Sequence, residues 1–114
     1  MSYDVIAMEI ADSVSEVRKS QALLSLELHW NIGRAISQLL SEDFKLGKLY
    51  NLLSFRCVGN TPSKRTLLLD VLMYGFHNDL QELLDTGNSY TTIKTVIEGK
   101  IHGLQDEAVW ESLV

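Results

Sequence analysis

One cysteine, one proline and no apolar run long enough to span a bilayer are what this 114-residue sequence has least of. With only Cys57 available, no internal disulfide can form, so the chain must be held together by its core. A lone thiol fits a reducing compartment, and Cys57 reads most simply as a small buried hydrophobe. Asn-Gly and Asp-Gly hairpin turns are missing, and no clean alternation of apolar and polar residues extends far enough for a strand. Lysine and arginine number 10 against 15 acids, a net charge of -5, which argues against coating nucleic acid by bulk electrostatics. Met1 to Ile10 holds Asp4 and Glu9 and lacks a basic start, so neither a signal peptide nor a membrane span is expected and the cytoplasm is the expected location.

Signatures of chemistry are equally scarce. His29, His77 and His102 lie far apart, and none falls in a ligand spacing such as H-x-x-x-H or C-x-x-C. Gly47 and Gly59 belong to no phosphate-cradling pattern, no carboxylates pair on a helix face, and no serine lies in a nucleophile elbow. Arg56 is Cys57's neighbour in sequence, but adjacency does not place a charge over the sulfur. His29, beside Trp30, reads as a core or edge histidine with its ring satisfied locally. The sequence therefore assigns no catalytic residue, no metal and no cofactor, and points away from an enzyme.

What is present is helical patterning. At 46% hydrophobic and 22% charged, the chain has the composition of a single globular domain, residues 1–114. From Val14, residues Val17, Gln21, Leu24, Leu28, Ile32, Ala35 and Leu39 recur at three- and four-residue steps, which predicts one long amphipathic helix. Leu23, Leu26, Trp30, Ile36 and Leu40 widen that stripe, enough to suggest a homodimer if the fold itself does not cover it. Ser41, Glu42 and Asp43 read as a cap and two acids opening the next helix, with Phe44, Leu46, Leu49, Tyr50, Leu52 and Leu53 as its core face. Gly59 to Ser63 is the densest cluster of turn formers, and Thr61-Pro62 reads as the opening of a helix running to Gly75. Gly99 and Gly103 predict a break, followed by a terminal helix burying Val109, Trp110 and Leu113. The fold class is all-α, a compact domain of about five or six helices.

Residues 78–98 have the spacing of a helix-turn-helix. Asn78 is the expected N-cap, Leu80, Leu83 and Leu84 form an apolar face, Gly87 supplies a left-handed stop, and Ser89 caps a second helix. Ile93 and Val96 then fall where that helix packs inward, leaving Tyr90, Thr91, Lys94 and Thr95 to face outward. Leu83 departs from the small residue usual at the crossing of such a motif. Asp43 to Leu69 is locally basic, with Lys45, Lys48, Arg56, Lys64 and Arg65 against Asp43 alone. Ser63, Lys64 and Arg65 stand where a helix start favours a phosphate, and Tyr90, Thr91, Lys94 and Thr95 are types that reach bases or phosphates from a groove.

Leu28-His29-Trp30-Asn31-Ile32-Gly33-Arg34-Ala35-Ile36 resembles the tryptophan, isoleucine-glycine segment of the N-terminal domain of YhcG-like proteins, a bacterial nuclease family. Asn60 to Leu67 is similar to a later serine-arginine-asparagine-leucine segment of that domain, with Thr66 where the family tends to have Asn. The resemblance covers about the middle half of the chain and implies a helical, winged-helix-like or helix-turn-helix DNA-binding module. No counterpart of the family's C-terminal nuclease domain is present, so it implies no catalytic residue. Together these readings lead to two functions: a small non-catalytic regulator binding double-stranded DNA through Ser63, Lys64, Arg65, Tyr90, Thr91, Lys94 and Thr95, or an acidic helical module that binds a protein partner as an inhibitor or assembly factor.

Overall fold

The computed structural model describes residues 2–20, 25–57 and 59–101. Among them are six helices and no strand: α1 (Tyr3–Ser20), α2 (Ser25–Ser37), α3 (Leu46–Arg56), α4 (Lys64–Phe76), α5 (Leu80–Asp85) and α6 (Tyr90–Ile101). The expected terminal helix from Leu104 lies outside the described residues. The stripe from Val14 to Leu39 is not one helix. It is divided between α1 and α2, and Ile6, Ala7 and Ile10 pack against Ile32, Ala35 and Ile36. A straight helix would hold Ile6 and Ile36 about 45 Å apart at 1.5 Å per residue, so the chain doubles back between them.

The doubled-back pair is completed by α3, whose Leu46, Leu49 and Leu53 are buried against it. Leu67 of α4 closes this first apolar cluster. Leu26, Trp30, Ile36 and Leu39 are buried, Leu28 is half-buried and Leu40 is half-exposed, so most of the widened stripe in α2 is covered within one chain. Val17, Gln21, Leu23 and Leu24 have side chains outside the described set. A second cluster joins Leu26 and Trp30 of α2 to Leu69 and Met73 of α4, Leu83 of α5, and Ile93 and Ile97 of α6. Gly33 sits at the crossing of α2 and α4, where a Cβ would fall inside the Asp70 carbonyl oxygen and 3.1 Å from Tyr74 Cβ. Only glycine lets the two backbones approach so closely.

Several predicted boundaries shift by a residue or more. Ser41 to Asp43 form a turn, and α3 begins after Lys45, whose ammonium has no acceptor to offer as a cap; its backbone N–H donates to the Tyr3 hydroxyl at 3.0 Å. The cap of α4 is Ser63, whose Oγ accepts from the Thr66 N–H at 3.1 Å, and α4 continues through Gly75 to Phe76. For α5 the cap is Asp79, not Asn78: Oδ1 of Asp79 accepts from the N–H groups of Gln81 and Glu82. Gly87 holds φ +71°, the left-handed stop expected there, and Ser89 Oγ accepts from the Thr92 N–H. Gly99 does not break α6. Val96 is half-exposed and Ile97 buried, because α6 turns Ile93 and Ile97, spaced by four, toward α4.

Candidate nucleic-acid face and the junction beneath it

The start of α4 and the outer side of α6 form one surface. Arg65 on α4 and Lys94 on α6 both reach Glu98 Oε1, each at 3.9 Å, so two cations from different helices stand together around one acid. All three side chains are partly open to water, where such pairs contribute little to stability. Thr91 and Thr95 lie exposed on α6, with Thr95 Oγ1 donating to the Thr91 carbonyl. Ser63 is exposed, but its hydroxyl is engaged twice, accepting from the Thr66 N–H and donating to Thr66 Oγ1 at 2.9 Å. Lys64 turns the other way, its ammonium 5.7 Å from the centroid of Tyr50 on α3. The expected residues thus fall into two groups: Arg65, Lys94, Thr91 and Thr95 share a side, and Lys64 leans toward α3.

Tyr90 departs from expectation altogether. It does not face outward: its ring stacks on His29 at 3.7 Å with the planes 10° apart, and its hydroxyl donates to Asp70 Oδ1 at 3.3 Å. The other carboxylate oxygen, Oδ2, lies 2.8 Å from His29 Nδ1. Asp70 is 0% exposed and is the one buried polar or charged residue among those described. A carboxylate removed from water costs free energy unless it is hydrogen-bonded, and here α2 and α6 each supply a donor. Burial pushes the Asp70 carboxyl up to about 6; the His29 hydrogen bond and charge, the Tyr90 hydrogen bond and the Lys94 charge pull against that rise. The Tyr90 hydroxyl is pushed well above its ordinary range by burial first and by the Asp70 charge second, so it remains a donor.

Sequence reasoning missed this junction. It placed His29 correctly at the edge of the core, but its partner is 41 residues away, not local. The available signal was Asp70 itself, a single acid inside Leu67-Leu68-Leu69-Asp70-Val71-Leu72-Met73, where no polar helix face could have accommodated it. Nearby, Trp30 Nε1–H donates to the His77 carbonyl at 2.7 Å and its ring meets Tyr74 edge-on, which ties α2 to the end of α4. Cys57 is buried and burial raises its thiol pKa, the reverse of what a reactive thiolate needs. A groove of about 450 Å³ opens at the turn between α5 and α6, lined by Leu26, Leu84, Gly87, Asn88, Ser89, Tyr90 and Thr91. Among the described residues no cluster of three or more metal-ligating side chains occurs and no helix is long and apolar enough to cross a membrane. The sequence matches no known protein family, no curated protein and no solved structure.

Proposed function

We propose that the protein is a small DNA-binding helical module with no catalysis of its own, holding backbone phosphates with Arg65 and Lys94 and laying the threonine side of α6 along the duplex. The observation that carries this reading is the convergence of Arg65 and Lys94, from two helices, on Glu98. Cations paired this loosely to one partly exposed acid exchange it readily for a phosphate, which offers more charge and more acceptor oxygens. The helix-turn-helix-like spacing of α5, Gly87 and α6 supports the same reading, as does the resemblance of residues 28–36 and 60–67 to the helical domain of YhcG-like proteins.

Fluorescence anisotropy with a random duplex at low and moderate salt tests it. The parent is expected to bind at low salt and to weaken steeply as salt rises. Reversing Arg65 and Lys94 together should weaken binding to all sequences alike and flatten the salt slope, and Glu98→Gln should strengthen binding by freeing both cations. A parent that binds no duplex at low salt ends the DNA reading. The protein-partner reading then takes its place, favoured by Phe55, whose ring is 82% exposed at the end of α3, and by the net charge of -5. Such a complex would be insensitive to salt where its contact is apolar.

A further inference from the structure

We propose that His29, Asp70 and Tyr90 form a proton-binding site that regulates how firmly α6 is seated, with His29 as the inlet through which water reaches the buried carboxylate. The geometry is that of a junction: one fully buried acid on α4 is held by a ring nitrogen from α2 and by the hydroxyl of the first residue of α6. Nδ1 is the ring nitrogen of His29 that is hydrogen-bonded, and the side chain is 16% exposed, so the ring stands between the carboxylate and water. A proton lies between Nδ1 and Oδ2 in either charge state of the acid.

Proton uptake then balances simply. When Asp70 is ionised, Nδ1–H and the Tyr90 O–H donate to its two oxygens. As the pH falls, one proton from water reaches Asp70 past the partly open His29 ring, and the carboxylate becomes the neutral acid. One proton has entered and Asp70 has lost its charge, with His29 and Tyr90 still its two hydrogen-bond partners. The groups that bear on Asp70 are His29 from α2 and Tyr90 and Lys94 from α6; α3 contributes none among the described residues. The neutral acid is the cheaper one to bury, since the low-dielectric interior penalises only the charge. The sign follows from the folded carboxyl titrating at about 6 against an ordinary 3.8: between those values the folded chain holds a proton that the unfolded chain has lost. Stability from this site is therefore greatest in acid and falls as the pH rises through about 6.

The test uses the intact chain without DNA, so that it stands or falls apart from the DNA reading. Asp70 Cγ is followed by NMR from pH 8 to 4.5, with hydrogen-exchange protection of the α6 amides measured at pH 7 and pH 5. Asp70 should titrate near pH 6, and α6 protection should rise toward pH 5 in the parent but not in Asp70→Asn. Lys94→Gln, at the surface and harmless to folding, should move the Asp70 midpoint upward, because the lysine charge favours the carboxylate. Tyr90→Phe should do the same through the lost donor. An Asp70 that stays ionised to pH 4.5, a midpoint that Lys94→Gln leaves in place, or α6 protection that changes with pH equally in parent and Asp70→Asn would each overturn the proposal.

Discussion

Ile6, Ile10, Ile32, Ile36, Leu49, Leu53 and Leu67 meet with no polar side chain buried among them, whereas the cluster of Leu69, Met73, Leu83, Ile93 and Ile97 adjoins the buried carboxyl of Asp70. The first region is held by volume and area, which are non-directional and indifferent to pH. The second is held partly by oriented bonds: Trp30 to the His77 carbonyl, His29 and Tyr90 to Asp70. Apolar packing fixes that helices adhere, and many near-equivalent packings satisfy it. A buried polar network is satisfied by few arrangements, so it specifies where α6 sits at some cost in stability. The division falls along α2, which gives Ile32, Ala35 and Ile36 to one region and Leu26, His29 and Trp30 to the other.

The largest effect should come from the apolar region. Leu49→Ala is expected to cost about 2–5 kcal/mol in chemical denaturation, by the same amount at pH 5 and pH 7. A loss that changed with pH would break the contrast between the two regions. Gly33→Ala should cost about 1–3 kcal/mol or more by forcing α2 from α4, and should also disturb the Asp70 titration, which a substitution confined to the first region would leave alone. Asp79→Ala should lower stability by about 0.5–2 kcal/mol, while Asn78→Ala should change it by no more than about 0.5 kcal/mol; thermal melts of the two variants side by side decide which residue caps α5. Smallest of all, reversal of Lys64 and Arg65 should leave the melting curve within about 0.5 kcal/mol of the parent whatever it does to DNA binding.

How far the fold could be read from the chain follows the same division. Three- and four-residue apolar spacing marks helices, and Gly87 and Ser89 mark the turn before α6, because these signals are local. The break inside the Val14 to Leu39 stripe was not legible, since α1 and α2 carry the same period and only their packing on each other separates them. Asn78 and Asp79 are both good caps, and the choice depends on where α5 must start to bury Leu83. Of the candidate site, Arg65 and Lys94 could be named but not their shared acid. Tyr90 was assigned outward because a tyrosine at a helix start suits a surface as well as a core; its partners, 61 and 20 residues earlier at His29 and Asp70, exist only once α2, α4 and α6 have met.

Gly33 and His29 are four residues apart on α2, and both are directed at Asp70: one by having no side chain, the other by the nitrogen it offers. The missing Cβ brings the α4 backbone close to α2, and His29, one turn earlier, reaches the carboxylate across that short gap. Replacing Asp70 by an apolar residue would release His29 but not Gly33, whose close neighbour is the α4 backbone itself. One position of α2 thus sets the distance between two helices and the other sets the polarity of what lies between them, with Tyr90 closing the same acid from a third helix.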